Sequence, residues 1–431
     1  MTVSSRSLTP NSTLAAAQRA IDRCKLLACF TETPGKIERT FLSPPIRDCH
    51  REIAHWMHAL GAEVKIDAAG NFRALYPGAA LDSRRLLLGS HLDTVPDAGA
   101  YDGALGVMLA IALLEDLKGR KLPFAVEVVG FSEEEGVRFG VPFIGSRALT
   151  GTLDSDLLRR PDENGITVQQ AIEHFGLNPN DIPAAVVANH ALGYIEFHIE
   201  QGPVLETMNR PLAVVNAIVG QNRFELIFRG TANHAGTTPM NSRRDSLAGA
   251  AEWITAVERL GQSESGLVAT VGSIHANPGA TNVIAEETRV GLDVRHASDE
   301  VRIRAVEALL REAGLIAERR DLQVRWNERM NQRAVAMDPF LVSQIEQSIA
   351  DAGCAPHQMA SGAGHDAMIL AQRIPAAMIF LRSPAGISHN PAEAVEIADV
   401  AKAIEVGVRL LDRLASSPEL LGARISGERQ S

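Results

Sequence analysis

Two apolar runs in this chain end in residues that bind metal ions, and this constrains the fold more than any other feature. Leu86-Leu-Leu leads into Gly89-Ser-His-Leu-Asp-Thr-Val-Pro-Asp-Ala-Gly-Ala-Tyr-Asp-Gly103, which carries His91, Asp93 and Asp102. Phe124-Ala-Val-Glu-Val-Val-Gly-Phe131 leads into Ser132-Glu-Glu-Glu-Gly136. Residues 103–118, between the runs, read as a helix. Strand, helix, strand in this order predicts a parallel βαβ unit. Ligands of open α/β sheets sit outside the carboxyl ends of the strands. A metal site is therefore expected at that edge.

The frame is that of a large globular protein. At 431 residues, the chain has room for two or three domains. A hydrophobic content of 45% allows a sizeable core. The formal net charge is -10, with acids and bases interspersed, which argues against nucleic acid or an anionic membrane surface as partner. Aromatic content of 4% also disfavours a platform for stacking bases. Cys24, Cys29, Cys49 and Cys354 form neither a CxxC pair nor zinc-finger spacing. Buried reduced thiols and a cytoplasmic location fit that pattern. No stretch approaches the roughly 18 apolar residues of a membrane span.

Along the chain, residues 1–13 are rich in Ser and Thr and are expected to be disordered. Helical spacing covers 14–30 and 46–60. Glu63-Val-Lys-Ile-Asp67 alternates like a half-buried strand. Residues 150–190 read as a polar excursion with short helices before the strand 193–198. From about 213 to 330 the order is strand, helix, strand, strand, helix, strand, the split βαβ or ferredoxin-like arrangement. Met378-Ile-Phe-Leu381 reads as a further buried strand. The expected fold is α/β: a catalytic domain of 1–212 and 331–431 on a mixed, mostly parallel sheet, interrupted by an α+β insert of 213–330.

His91, Asp102, Glu134, Glu135, His198, Glu200 and His389 all fall at expected strand ends beside Gly or Pro turns. Mixed His and carboxylate ligands suit Zn²⁺, and also Mn²⁺, Ni²⁺ or Co²⁺. The set is too large for one four-coordinate ion with an open position. It suits two ions sharing a carboxylate, roughly 3.5–4 Å apart. A run such as Glu133-Glu-Glu135 often marks only a solvated face, but here it follows an apolar strand. At such a turn one Glu can bind metal while its neighbour serves as general base toward an activated water.

The blocks GSHLDTVPDAGAYDGALGV, FSEEEGVRFG, HIEQGPVLE, GQNR, ANHAGTTPM, TNVI, DVRH, SGAGHDA and GISHNPAE together resemble the M20 metallopeptidase superfamily. They are most similar to its amidase branch, which comprises allantoate amidohydrolase, N-carbamoyl-L-amino-acid hydrolase and β-ureidopropionase. The resemblance implies that His91, Asp102, Glu135, His198 and His389 bind two divalent ions, Zn or Mn with Ni or Co as alternatives, and that Asp102 bridges them. It implies Glu134 as general base and Asp93 behind His91, fixing the tautomer of that ring. It implies a cis bond at Asp102-Gly103. On the substrate side it implies Arg295 as a carboxylate clamp, Gln221, Asn282 and Gly364 as further contacts, and His234 as oxyanion stabiliser. It also implies that the insert is a lid and dimerisation domain, with His234 acting across the boundary of a homodimer.

The implied reaction is hydrolysis of a ureido or carbamoyl C–N bond in a small carboxylate. Allantoate is preferred, giving ureidoglycine, ammonia and carbon dioxide. N-carbamoyl-L-amino acids and N-carbamoyl-β-alanine are the alternatives. An M20 aminoacylase or peptidase would want a carboxylate where His198 stands, and a non-catalytic scaffold would have no need of the full ligand set.

Overall fold

The computed structural model describes residues 10–80, 84–187 and 191–417. Of the Ser/Thr-rich opening, residues 1–9 lie outside this range. Residues from Pro10 onward already belong to the helix Pro10–Ala28, so residues 10–13, expected to be disordered, are helical. The chain divides into two compact units. The larger runs up to Asn216, resumes at Met337–Met359 and continues from His365; the smaller comprises Ala217–Ala336 and Ala360–Gly364.

Among the described residues, thirteen strands form two sheets. They are β1 Glu63–Ile66, β2 Phe72–Tyr76, β3 Arg85–His91, β4 Ala125–Phe131, β5 Ala191–Ile199, β6 Leu212–Ile218, β7 Gly220–Arg229, β8 Val268–Asn277, β9 Glu287–His296, β10 Gln323–Gln332, β11 Val335–Ala336, β12 Gln358–Ser361 and β13 Ala376–Leu381. The first sheet has nine strands in the order β1-β2-β4-β3-β5-β13-β6-β11, with β12 beside β6. Its centre, β4-β3-β5-β13, is parallel, and antiparallel strands flank it on both sides. Every residue of β4 and β13 is buried, as parallel strands covered on both faces require. The helix Ala104–Leu117 joins β3 to β4. It is apolar all round and packs on β3, β4 and β5 beneath the helices Pro10–Ala28 and Ile397–Ala415.

The smaller unit's sheet has the order β10-β7-β9-β8, antiparallel throughout. The helix Ser246–Ser263 links β7 to β8, and Asp299–Arg319 links β9 to β10. This is the split βαβ order. Both helices lay apolar faces on the sheet around Phe228, Trp253, Leu292 and Leu309. The indole N–H of Trp253 donates to the Leu309 carbonyl at 2.8 Å, tying one helix to the other. The first strand of the insert, expected to begin at about 213, is two strands: β6 in the large sheet and β7 in the small one, broken at Val219.

Candidate active site

The carboxyl ends of the parallel strands β3, β4, β5 and β13 deliver the site in the larger unit. His91 ends β3, Glu134 and Glu135 follow β4, His198 lies near the end of β5, and His389 lies on the loop after β13. Asp102 sits in the turn that starts the helix Ala104–Leu117. Gly103 makes that turn at φ 68°, and a Cβ there would lie 2.5 Å from the His91 ring. Only glycine meets both conditions. The Asp102-Gly103 bond is trans: among the described residues the one cis peptide is Asn277-Pro278. The expected cis bond is thus corrected, and the positive φ of Gly103 makes the reversal instead.

Asp102 offers each oxygen to a different group of ligands. Its Oδ1 lies 3.3 Å from His91 Nε2 and 3.1 Å from His198 Nε2. The two Nε2 atoms are 3.4 Å apart. His91 Nδ1 bonds the Asp93 carbonyl and His198 Nδ1 bonds the Ile199 carbonyl, each at 2.9 Å. A carbonyl only accepts, so both Nδ1 atoms carry protons and a neutral ring presents a lone pair at Nε2. With both rings neutral, three acceptors converge there, an arrangement that calls for a cation: a metal ion or, without one, the proton that Asp102 and the nearby acids draw onto His91. Asp102 Oδ2 lies 3.4 Å from His389 Nε2, which is also 3.4 Å from Glu135 Oε1. Gln201 Nε2 and Ser388 Oγ each donate to Oδ2 at 2.8 Å. His91, Asp102 and His198 form one potential ligand group, and Asp102, Glu135 and His389 a second.

The surrounding charge fits the same reading. Asp93, Asp102, Glu134, Glu196 and Asp366 are buried, and among the described residues none has a lysine or arginine within ion-pair distance. Burial raises Glu134 well above the usual carboxylate range; His91 opposes this, while Glu135, Asp366 and Asp93 add to it. Burial disfavours a charged His91, yet its bond to Asp102 and the nearby acids outweigh that and raise it well above normal. Bonds to Asp102 and Glu135 raise His389 to about 10. A mixed His and carboxylate donor set in a negative, buried pocket suits divalent cations.

Asp93 lies behind His91, as expected, and bonds its Nδ1. Its backbone carbonyl, not its carboxylate, orients His91; the carboxylate lies 3.8 Å from Nδ1. The carboxylate oxygens instead accept from the Glu134 and Glu135 amides at 3.0 Å each, fixing the segment that carries both acids. Glu133, at φ 53°, turns away from the site and accepts from the Phe41, Arg138 and Phe139 amides. Glu200 is not part of the cluster. Its oxygens accept from the Val204 and Leu205 amides at 2.7 and 2.9 Å, closing the start of a short helix.

The substrate-side candidates lie in the smaller unit. Gln221 and Arg295 are direct partners across β7 and β9. Asp293 holds them together. It accepts from Gln221 Nε2, from Arg223 Nε at 2.9 Å, and from Arg295 through Nε at 2.8 Å and Nη2 at 3.1 Å. Arg295 Nη1 donates to the Gly362 carbonyl at 2.8 Å, on the Ala360–Gly364 segment that ends in Gly364. The Ala235 amide donates to the Asn282 carbonyl, bringing the loops of His234 and Asn282 together. His234 is exposed, and its Nδ1 accepts from the Gly236 amide at 3.0 Å. The proton of the neutral ring is thus on Nε2, facing outward as a donor.

Sequence reading missed Glu393, Ser388, Gln201, Glu196 and Asp293. Asp293 had a legible signal, since residues two apart on a strand share a face and it precedes Arg295 by two. Glu196 had the same relation to His198; it lies beneath the site, accepting from Ser90 Oγ at 2.8 Å and the Ala367 amide at 3.1 Å. Glu393 had no such strand relation, although it closes the block GISHNPAE.

Comparisons with other proteins place the chain in a known class of hydrolases. The model of peptidase family M20/M25/M40 matches residues 87–413, and the chain belongs to that family. Within it, the chain is similar to amidohydrolases. It is 37% identical to the N-carbamoyl-L-amino acid amidohydrolase of Geobacillus stearothermophilus, over 86% of this chain and 92% of that one. It is 36% identical to the allantoate deiminase of Arabidopsis thaliana, over 92% and 82%. The crystal structure of an amidase of the hydantoinase/carbamoylase family from Burkholderia multivorans superposes with a TM-score of 0.86 at 30% identity, covering 92% of this chain and 97% of that one.

Proposed function

We propose that this amidohydrolase cleaves a ureido or carbamoyl C–N bond in a small carboxylate, with allantoate the preferred substrate. The observation that carries the reading is Asp102, whose two oxygens face two separate ligand groups completed by His91 and His198 and by Glu135 and His389. The reading assigns two divalent ions to these groups, Zn²⁺ or Mn²⁺, with Ni²⁺ or Co²⁺ accepted. Bound there, such ions would polarise the scissile carbonyl and make a water molecule acidic near neutral pH.

The chain's own residues do the rest. Glu134 takes the proton of the attacking water and returns it to the departing nitrogen, as the raised affinity of its carboxylate for protons suits. His234 donates from Nε2 to the developing oxyanion. Arg295, held by Asp293, receives the substrate carboxylate, with Gln221, Asn282 and Gly364 as further contacts. In this reading residues 213–330 form an inserted lid and dimerisation domain, and His234 serves the partner's site. The edge strand β8 exposes Val268 and Ile274, which suits a self-complementary contact. Four free cysteines and the lack, among the described residues, of a helix long and apolar enough to cross a membrane accord with a cytoplasmic home.

The test is ammonia release from allantoate, N-carbamoyl-L-amino acids and N-carbamoyl-β-alanine, with Mn²⁺ or Zn²⁺ added. Metal-dependent release is expected, fastest from allantoate. The relative in Geobacillus stearothermophilus makes N-carbamoyl-L-amino acids the second reading, and faster release from them would establish it. No release from any of the three would refute both.

A further inference from the structure

Glu393 lies outside both ligand groups, yet it bonds to the backbone on which one ligand is mounted. It is buried, at 6% exposure. Its Oε1 accepts from the Tyr101 amide at 2.8 Å and from the Asp102 amide at 3.0 Å. Its Oε2 lies 3.3 Å from Ser388 Oγ, which also donates to Asp102 Oδ2 at 2.8 Å. The carboxylate thus grips the turn of Asp102 directly, and its other oxygen lies against Ser388, whose one hydroxyl proton goes to Asp102 at the shorter distance. It sits on the same loop as His389, four residues on, and the Glu393 amide donates to the Asn390 carbonyl at 3.0 Å. One side chain therefore joins the two loops that carry Asp102 and His389.

The approach is close enough to demand glycine opposite. A Cβ on Gly99 would lie 2.4 Å from both Cβ and Oε1 of Glu393. Such a contact falls on the base of the side chain as well as its tip, so a rotamer change alone does not relieve it.

We propose that Glu393 is a positioning residue that sets the bridging aspartate and His389 in one frame, and so sets the affinity of the group of Asp102, Glu135 and His389 for a divalent cation. Reach, rather than charge, is the property that matters. Glutamate spans to two adjacent amides. Glutamine keeps an oxygen at the same reach and turns its NH₂ to Ser388 Oγ. Aspartate keeps the charge but is one methylene too short. The inference rests on the metal reading above.

Two readouts separate the inferences. In the metal-free protein, amide hydrogen exchange at Tyr101 and Asp102 should accelerate in Glu393→Ala and Glu393→Asp and stay near wild type in Glu393→Gln. Unchanged exchange in the aspartate variant overturns the positioning role whatever the metal does. Zn²⁺ and Mn²⁺ affinity, read by competition with a chromogenic chelator, should fall about 10–100-fold for the weaker-bound equivalent in the alanine and aspartate variants. Glutamine should stay within about threefold, and Gly99→Ala should follow alanine. A glutamine variant as weak as alanine would make charge the cause and overturn the claim about reach. If Glu393→Ala does not fold, the aspartate and glutamine pair decides. A merely structural residue would lower the melting temperature of the metal-free protein and leave metal affinity unmoved. Wild-type protein that binds no divalent ion would instead sink the metal reading, while the exchange experiment still reports on the turn.

Discussion

At the scale of single residues, the site divides labour between atoms of neighbouring side chains. Glu133, Glu134 and Glu135 are adjacent, yet the first locks a loop, the second faces the pocket and the third faces His389. Glu134→Gln is expected to retain metal and lose about 10²–10⁴ in kcat, measured by steady-state ammonia release alongside metal content. Full turnover in that variant would remove it as the base. Asp293 engages three donor side chains and points the Arg295 guanidinium. A hydrogen bond to a charged group contributes roughly 1.5–3 kcal/mol, so Asp293→Ala should raise KM for a carboxylate substrate roughly tenfold or more, with a smaller effect on kcat. A fall in kcat at constant KM would place Asp293 elsewhere in the mechanism.

At the scale of elements, helices and strands bury groups whose charge state the fold must then enforce. His50, on the helix Pro44–Ala59, lies between Phe72 and Phe175, at ring distances of 5.9 and 6.2 Å. Burial, reinforced by Arg47, pushes it down from 6.5 to about 3. The unfolded chain therefore takes up a proton below pH 6.5 that the folded chain refuses until about pH 3. The stability due to the neutral ring is complete above pH 6.5 and is lost as the pH falls from there. The slope is up to about 1.4 kcal/mol per pH unit. In urea melts from pH 7 to 4, His50→Gln should show a shallower acid-side decline than wild type. Parallel curves would mean the ring is already protonated in the fold.

At the scale of the whole molecule, a cation held by residues from four strand ends would link folding to binding. A ligand at 100 times its Kd adds about 2.7 kcal/mol to stability, so chelation should lower the melting temperature and Zn²⁺ or Mn²⁺ should restore it. An unchanged melting curve on chelation would count against resident ions. If sites are shared between two copies, inactive His234→Ala and Arg295→Ala proteins should regain partial activity when mixed and allowed to exchange subunits. No rescue after demonstrated exchange would favour sites built within one chain.

The parallel centre of the large sheet was legible because β13 is an unbroken apolar run, β4 is apolar but for Glu127, and each ends in turn chemistry. The order of the smaller sheet's elements followed from period alone. The convergence of His91, Asp102, Glu135, His198 and His389 was legible because each is a metal-ligand residue type beside Gly or Pro at a strand end, and the family resemblance named them. Less was legible where one carboxylate resembles another. Glu200 has the same residue type and strand-end position as a ligand, and only the fold shows its oxygens spent on backbone amides. Asp93 was placed behind His91, but which of its atoms does the orienting depends on a turn. Glu393 stands 291 positions from the amide it holds at Asp102, and no local pattern marks that contact.

The sequence determined which residue types reach the sheet edge, because apolar period and turn residues act over a few positions. Which lone pairs converge there, and which acids are used up in holding backbone, only the tertiary structure decided. Hydrogen bonding depends on ångström-scale direction between segments far apart along the chain.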